Sequence, residues 1–265
     1  MPAARTAAGR AGLAALRDDP ARVLVALDYD GTLAPIARDP SSAVPAAGAV
    51  DALVRLAGLV GRLAIVTGRP AEVVVALAGL HRVPGLVVLG QYGAERWSAG
   101  EVSLTPALPG IDVARAELPA LVAPHGAVVE DKRLALVVHT RTAPDPAGAQ
   151  AALTAPLAEL AVRVGLELHR GRFVLELRPP GFDKRGALLS AAALADPAGP
   201  SAVLFAGDDV GDGAAYDAVD ELRAAGVPCV TVFSDSEEGP AELRDRADLV
   251  VDGPPGVVSL LRSLP

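Results

Sequence analysis

The stretch from residue 22 to residue 33 reads Arg-Val-Leu-Val-Ala-Leu-Asp-Tyr-Asp-Gly-Thr-Leu, and it decides the fold class. Its first six residues form a short apolar run, which is typical of a strand buried on both faces of a parallel sheet. Two carboxylates, Asp28 and Asp30, follow where this strand ends. The stretch therefore predicts an α/β domain with polar side chains at the carboxyl edge of its sheet.

The residues that follow alternate between helix and strand patterns. Apolar residues at helical spacing over 46–60 precede a buried strand over 62–66. A helix then begins at Pro70, which suits the first helical position, and a third strand follows over 86–89. This alternation predicts a doubly wound parallel sheet.

The pattern changes between residues 105 and 180, where helices and strands come in pairs. The predicted elements are a helix over 112–122, strands over 127–130 and 134–139, a helix over 146–163, and strands over 166–169 and 173–177. This order is typical of an antiparallel sheet with helices on one face. We therefore predict an α+β domain over 105–180, inserted into a core of residues 1–104 and 181–265.

The strand-helix alternation resumes after the insert. It predicts helices over 183–194, 212–225 and 255–263 and strands over 202–206, 228–233 and 248–251. The first 17 residues, by contrast, favour an N-terminal arm or helix.

Composition excludes several classes of protein. The chain has 265 residues, of which 51% are hydrophobic and 21% charged, so disorder is excluded. A net charge of -8 argues against nucleic acid or an anionic membrane as a partner. No apolar run is as long as a membrane span, and the single cysteine, Cys229, cannot form an internal disulfide. We expect a cytoplasmic monomer that acts on a small molecule.

Lysine and glutamine are rare in this chain. Only Lys132 and Lys184 are lysines among 24 basic residues, and glutamine occurs only at Gln91 and Gln150. In such a biased composition a retained lysine or glutamine is less expected to be surface filler.

Three predicted strands end in polar residues at one edge of the sheet. These residues are Asp28 and Asp30, then Thr67 and Arg69, then Asp208, Asp209 and Asp212. Five carboxylates gathered there would repel one another, so the edge needs a cation, and all-oxygen ligands suit Mg²⁺. Lys184 adds a point charge suited to a phosphate oxygen. The set matches the needs of phosphoryl transfer.

These residues resemble the four motifs of the haloacid dehalogenase (HAD) phosphatases, in the same order. The motifs are Asp28-Tyr29-Asp30-Gly31-Thr32-Leu33, Thr67, Lys184, and Gly207-Asp208-Asp209-x-x-Asp212. The resemblance implies a Rossmann-like HAD core, and the insert stands where that superfamily carries a C2-type cap.

Three further stretches resemble the trehalose-6-phosphate phosphatases within that superfamily. They are the G-x-x-G-x-E element over 90–95, the E-x-K…H-x-R stretch formed by 130–132 and 139–141, and residues 172–179 followed by Asp183-Lys184. The likeness covers about residues 22–265. It implies the last step of trehalose biosynthesis, the hydrolysis of trehalose 6-phosphate.

The resemblance also implies a role for each residue of the core motifs. Asp28 would attack phosphorus and become an aspartyl-phosphate, while Asp30 would protonate the leaving oxygen and then activate water. Thr67 would bind the phosphoryl group. Lys184 would neutralise it and pair with Asp212.

The metal and the sugar would have their own residues. Mg²⁺ would be held by Asp28, the backbone carbonyl of Asp30, and Asp208, with Asp209 close by, and Gly31 would permit the tight turn beside the nucleophile. The candidate substrate-binding residues are Arg69, Tyr92, Glu95, Glu130, Lys132, His139, Arg141, Glu176 and Arg178.

The sequence departs from the family pattern in two places. The family usually reads G-D-D-x-T-D-E, and Gly211 and Gly213 replace its threonine and glutamate. We expect a more flexible loop there, and activity, because the metal ligands survive. Arg172 also replaces the usual lysine before the E-x-R-P strand, which changes the contact geometry.

Each candidate also has a plain structural interpretation. Asp212 can cap the helix that follows it, Lys132 can be a charged hairpin residue, and His139 can be a core histidine. Glu176 can lie on a solvated face, and Gly90 and Gly93 can form only a turn.

Other functions stay open at this stage. The core motifs do not separate trehalose 6-phosphate from sucrose, mannosylglycerate or glucosylglycerol phosphates. A receiver-like phospho-acceptor would need neither Asp30 nor an inserted domain. A catalytically weakened regulator that binds a sugar phosphate is suggested by Gly211 and Gly213.

Overall fold

The computed structural model describes residues 3–37, 39–104, 109–195, 198–236 and 239–264. The chain folds into two compact units, Met1–Leu104 with Asp183–Pro265, and Thr105–Phe182. The predicted start of the insert, at residue 105, lies outside the described residues.

The larger unit is built on an eight-stranded sheet in the part of the chain that the structure describes. Its strands are β1 (Val23–Leu27), β2 (Arg62–Val66), β3 (Val87–Gly90), β4 (Glu95–Ser98), β5 (Glu101–Leu104), β10 (Ala202–Gly207), β11 (Cys229–Ser234) and β12 (Leu249–Val251). They lie in the order β12-β11-β10-β1-β2-β3-β4-β5, and those from β12 to β3 are parallel. The predicted α/β fold class is confirmed, with β1 at the centre of the sheet.

Seven helices belong to this unit among the described residues. They are α1 (Ala7–Asp18), α2 (Ala49–Ala57), α3 (Ala71–Ala78), α6 (Lys184–Ala195), α7 (Gly213–Ala224), α8 (Ala241–Arg246) and α9 (Gly253–Ser263). None of the described helices is both long and apolar enough to cross a bilayer.

Helices cover both faces of the sheet, and successive residues of β1 point to opposite faces. Val25 and Leu27 belong to a core with α1, α2, α3 and α9. Leu24 and Ala26 belong to a second core with α6, α7 and α8. This two-sided burial explains the continuous apolar run of residues 23–27, and it leaves the strand ends as the place for polar groups.

Three elements of the larger unit were not predicted. β4 pairs antiparallel with β3, and β5 pairs antiparallel with β4 at the edge of the sheet, so the sheet is mixed rather than wholly parallel. The third unpredicted element is the short helix α8. In β4 burial alternates, with Glu95 and Trp97 inside, and this short polar stretch lacks the apolar run that marks the parallel strands.

The smaller unit has a four-stranded antiparallel sheet with two helices in its described part. Its elements are α4 (Pro109–Val122), β6 (Val128–Asp131), β7 (Leu136–His139), α5 (Pro146–Val164), β8 (Glu167–Gly171) and β9 (Val174–Arg178), and the strand order is β6-β7-β9-β8. Leu136, Val138, Leu175 and Leu177 pack with the helices on one face. The other side chains of these strands form the opposite face, which carries Glu130 and Glu176 in one row.

Candidate active site

The candidate nucleophile lies directly beyond the central strand. Asp28 is buried, and its backbone N–H donates to the carbonyl of Ala206 on β10 at 2.9 Å, which extends the parallel pairing by one residue. One carboxylate oxygen of Asp28 lies 2.8 Å from Nζ of Lys184. The sheet therefore fixes the backbone of this carboxylate, and a buried cation holds its side chain.

Asp208 reaches the same point from β10, and Gly31 makes room for it. Gly31 has φ of +77°, and a Cβ on it would stand 1.9 Å from Oδ2 of Asp208. The hydroxyl of Thr32 donates to Oδ1 of Asp208 at 3.3 Å, and that of Ser234 donates to the carbonyl of Gly31 at 2.7 Å. Glycine is thus required both for its backbone conformation and for the close approach of a carboxylate.

Asp212 and Lys184 form the anchor of this cluster. Oδ1 of Asp212 accepts from Nζ of Lys184 at 2.7 Å, and Oδ2 accepts from the backbone N–H groups of Asp208 and Asp209 at 3.0 and 3.1 Å. Asp209 in turn accepts from the backbone N–H of Asp212, which completes a reciprocal cap. These bonds hold the 207–213 loop although Gly211 and Gly213 lie within it.

Electrostatics in the cluster favour the binding of a cation. Burial raises the pKa of Asp28 well above its usual range, as do its acidic neighbours, while Lys184 opposes this. Burial, together with Asp212 and Asp209, raises the pKa of Asp208 to about 8. Burial opposes the charge on Lys184, but Asp212, Asp28 and Asp209 outweigh it and raise the pKa of Lys184 well above its usual range.

Carboxylate oxygens of Asp28, Asp208 and Asp212 lie within 4.8 Å of one another. Among the described residues, these three side chains form the group whose spacing could hold a metal ion. The expected ligand set differs, since it contained Asp209 rather than Asp212. The side chain of Asp209 is 63% exposed, and one of its oxygens lies 4.0 Å from Nζ of Lys184. Asp212 already accepts three hydrogen bonds, which leaves Asp28 and Asp208 as the side chains best suited to a metal.

Asp30, the candidate acid and base, is held by Arg69. The guanidinium of Arg69 donates through Nε and Nη2 to the two carboxylate oxygens of Asp30, each at 2.6 Å. Its Nη1 donates to the carbonyl of Pro40 at 2.6 Å, and its Cζ lies 5.7 Å from the centre of the Tyr29 ring. Arg69 therefore fixes the orientation of Asp30 in the structure, and its predicted contact with substrate stays a prediction.

Thr67 lies in a loop braced by an unusual turn. The hydroxyl of Thr67 accepts from the backbone N–H of Arg69 at 3.1 Å. The backbone N–H groups of Gln91 and Tyr92 donate to the carbonyls of Arg69 and Thr67 at 2.9 and 3.0 Å. Gln91 and Tyr92 have φ of +46° and +59°, and the hydroxyl of Tyr92 lies over Gly68.

Glu95, predicted to bind substrate, is buried beneath this turn. Its carboxylate accepts from the side-chain amide of Gln91 at 2.6 Å and from the backbone N–H of Ala71 at 2.8 Å. Gln91 is one of two glutamines in the chain, but the sequence alone does not indicate this contact. Nor does it indicate Thr32 as a partner of Asp208, or any role for Ser234.

In the smaller unit, the candidate sugar-binding residues share the face away from the helices. Nε2 of His139 lies 2.8 Å from a carboxylate oxygen of Glu130, and both side chains are partly exposed. Glu176 lies between two cations, with one oxygen 3.5 Å from Nζ of Lys132 and the other 3.8 Å from Nη1 of Arg178. The face therefore offers charged donors and acceptors side by side.

Two further residues of this unit flank an aromatic ring. The guanidinium groups of Arg141 and Arg172 lie 5.6 and 5.9 Å from the centre of the Phe173 ring. Phe173 has φ of +61°, and its backbone N–H donates to Oε1 of Gln150 at 3.1 Å. The second rare glutamine thus also braces a left-handed turn.

Known proteins show which family this chain resembles. The model of the trehalose-phosphatase family matches residues 26–247. A trehalose-phosphate phosphatase of Mycobacterium bovis is 35% identical over 220 residues, which are 80% of this chain and 54% of that protein. The chain thus spans about half the length of the curated relatives it matches.

Solved structures agree on the fold. The C-terminal domain of a trehalose-6-phosphate phosphatase of C. albicans is 20% identical, with a TM-score of 0.78, and the match covers 99% of this chain and 98% of that one. A haloacid dehalogenase-like hydrolase from Bacteroides thetaiotaomicron is 19% identical, with a TM-score of 0.62, over 90% and 97% of the two chains. The predicted HAD-type core with an inserted second domain agrees with these neighbours.

Proposed function

The chain belongs to the trehalose-phosphatase family, and on this premise we propose that it is a Mg²⁺-dependent phosphatase that converts trehalose 6-phosphate to trehalose and phosphate. The observation that carries the proposal is the buried cluster of Asp28, Asp208 and Asp212 around Lys184. A nucleophilic carboxylate, a fixed cation and a site for a metal are what transfer of a phosphoryl group requires. We also expect the protein to act as a cytoplasmic monomer.

The residues fit a magnesium ion. All candidate ligands are oxygens, which Mg²⁺ prefers. Burial first, and the neighbouring carboxylates after it, raise the pKa values of Asp28 and Asp208, and a bound cation would offset both causes. We assign the metal to Asp28, Asp208 and the backbone carbonyl of Asp30, with Asp209 nearby. When bound, Mg²⁺ would cancel charge on the phosphate and on the attacking carboxylate.

The first half of the reaction forms a covalent intermediate. A carboxylate oxygen of Asp28 attacks phosphorus while the bond from phosphorus to the sugar oxygen breaks. Asp30 gives its proton to that oxygen, so trehalose leaves as a neutral alcohol. Lys184 and the hydroxyl of Thr67 hold the phosphoryl oxygens, and Asp212 keeps Lys184 charged and in place.

The second half returns the enzyme to its starting state. Asp30, now a carboxylate, takes a proton from water as the water oxygen attacks phosphorus. The bond between phosphorus and the oxygen of Asp28 breaks, and inorganic phosphate is released. Arg69 supports both halves, because its two hydrogen bonds fix the orientation of Asp30.

Recognition of the sugar is assigned to the polar face of the smaller unit. Lys132, Glu130 and Glu176 offer donors and acceptors to sugar hydroxyls, together with His139, Arg141 and Arg178. A site built in this way rejects a sugar that leaves its polar groups without partners.

The test is phosphate release from trehalose 6-phosphate, measured beside glucose 6-phosphate and sucrose 6-phosphate. We expect selective turnover of trehalose 6-phosphate that requires Mg²⁺ and is absent in Asp28→Asn. Turnover of the other sugar phosphates instead would refute the substrate and keep the chemistry. Binding of trehalose 6-phosphate without turnover would make the chain a sensor.

A further inference from the structure

Glu95 is a buried carboxylate that faces the interior of the larger unit. Its side chain accepts hydrogen bonds from Gln91 Nε2 at 2.6 Å and from the backbone N–H of Ala71 at 2.8 Å. Ala71 begins α3, so the carboxylate also lies at the positive end of a helix. Both contacts join Glu95 to segments that carry other functional residues.

The first of these segments is the turn at Gln91 and Tyr92. Both residues have left-handed φ values, which residues other than glycine rarely adopt. A strained backbone of this kind persists only where neighbouring contacts stabilise it, and the hydrogen bond from Gln91 to Glu95 is one such contact. The backbone N–H groups of the turn then donate to the carbonyls of Arg69 and Thr67.

The second segment is the entry to α3. Ala71 lies two residues after Arg69, with Pro70 of fixed φ between them. Glu95 therefore fixes the Thr67–Arg69 loop from both sides, through the turn and through the helix start. Arg69, held in this way, places two hydrogen bonds of 2.6 Å on Asp30.

We propose that Glu95 is a positioning residue that sets the orientation of the acid Asp30 through Gln91, Ala71 and Arg69. This inference rests on the proposed function, in which Asp30 protonates the leaving group. It gives the G-x-x-G-x-E element a task in the chemistry rather than in sugar binding, and it gives Gln91 the role of donor to Glu95.

The test is a series of substituted phenyl phosphates whose leaving groups differ in pKa. These substrates carry no sugar, and kcat/KM reports only the steps up to departure of the leaving group. Poor leaving groups depend on the proton from Asp30, whereas p-nitrophenolate departs without it. A misplaced Asp30 therefore lowers kcat/KM mainly for the poorest leaving groups.

The decisive variant is Glu95→Gln, which keeps the size of the side chain but replaces one acceptor by a donor. We expect kcat/KM to fall about 10-fold for phenyl phosphate and less than about 2-fold for p-nitrophenyl phosphate. Glu117→Gln is the matched control, because Glu117 forms an exposed ion pair with Arg163 in the smaller unit. It should leave the whole series unchanged.

Two more variants keep the proposal falsifiable if Glu95→Gln folds poorly. Gln91→Met removes the donor to Glu95. It should also lower kcat/KM mainly for the poorest leaving groups, by a smaller factor than Glu95→Gln. The double variant Glu95→Gln/Gln91→Glu lets the new amide donate to the new carboxylate, and it should recover part of the lost kcat/KM.

An equal loss across the series, or no loss, would overturn the inference and leave Glu95 a purely structural residue. Failure of the proposed function would appear elsewhere, as a wild type that does not hydrolyse trehalose 6-phosphate. A wild type that hydrolyses phenyl phosphates but not trehalose 6-phosphate would overturn the proposed substrate alone, and the series would still test Glu95. A wild type inactive on every phosphate ester would overturn both proposals.

Discussion

The polar groups at the edge of the larger sheet and those on the face of the smaller sheet are held in different ways. Asp28, Asp208, Asp212 and Lys184 are each at most 5% exposed, and short hydrogen bonds fix them. On the smaller unit Glu176 is buried, but its ion pairs with Lys132 and Arg178 are 3.5 and 3.8 Å long, and the side chains of Glu130 and His139 are 46% and 36% exposed. We infer that the proposed phosphoryl chemistry is prearranged by burial and short hydrogen bonds, whereas the proposed sugar-binding groups gain their full strength only on a bound ligand.

Replacing the proposed nucleophile should have the largest effect on catalysis. Asp28→Asn keeps the shape of the side chain but cannot form the covalent intermediate, and we expect kcat to fall by about 10⁴-fold or more on every phosphate ester. Phosphate release measures this, with circular dichroism to establish that the variant is folded. Residual turnover within 10-fold of wild type, taken as an order of magnitude, would place the nucleophile elsewhere.

Loss of the acid should be smaller and should depend on the substrate. Asp30→Asn removes the proton donor, so we expect kcat/KM for trehalose 6-phosphate to fall by about 10²–10⁴-fold. The fall for p-nitrophenyl phosphate should be much smaller, because its leaving group needs no proton. A uniform fall on both substrates would argue that Asp30 only holds the metal.

Gly31 tests whether the prearrangement of the acidic edge matters. In Gly31→Ala the new Cβ would stand 1.9 Å from Oδ2 of Asp208, so Asp208 must move. We expect a loss of about 2 kcal/mol in the free energy of unfolding and a fall of about 10-fold in kcat.

Gly226→Ala is the matched control for backbone strain. Gly226 has φ of +87°, and a Cβ on it would meet no atom within 4 Å, so this variant carries the conformational penalty without the clash. We expect unfolding to be easier by about 1 kcal/mol, with kcat unchanged. Equal kcat losses in the two variants would show that Asp208 tolerates displacement.

The smallest effect concerns the metal and pH. In the metal-free fold burial and acidic neighbours raise the pKa of Asp208 to about 8 from an ordinary value of 3.8. Stability from this group is full below the unfolded pKa and is lost as the pH rises toward about 8. Mg²⁺ competes with the bound proton, so its stabilising effect should grow over the same range.

Thermal unfolding with and without saturating MgCl₂ measures this effect. We expect Mg²⁺ to raise Tm by about 3–6 °C near pH 8 and by less near about pH 6. Asp208→Asn should abolish the shift. A shift of equal size at both pH values would contradict the assigned ligand.

The core motifs were predictable because one physical rule governs them. Strands buried on both faces read as apolar runs, and parallel strands place their ends at one edge, so the positions of Asp28, Thr67 and Asp208 follow from the sequence. The second unit was predictable from its change of pattern, because helices and strands come in pairs there and Leu175 and Leu177 alternate with polar residues along the last strand.

Other contacts of the candidate site were not predictable, because they depend on residues distant in the chain. Glu95 was predicted to bind substrate, and its contact with the start of α3 joins residues 24 positions apart in the chain. The contact of Arg69 with Asp30 joins residues 39 positions apart. No spacing in the sequence reveals such pairs.

The most direct test of the contrast between the two units is one ratio of rates. We would compare kcat/KM for trehalose 6-phosphate with that for p-nitrophenyl phosphate in wild type and in Lys132→Met, which removes the charge 3.5 Å from Glu176 on the smaller unit. We expect kcat/KM in Lys132→Met to fall by about 10-fold or more on trehalose 6-phosphate and to stay unchanged on p-nitrophenyl phosphate. Equal losses on both substrates would contradict it, because Lys132 would then act on the chemistry rather than on the sugar.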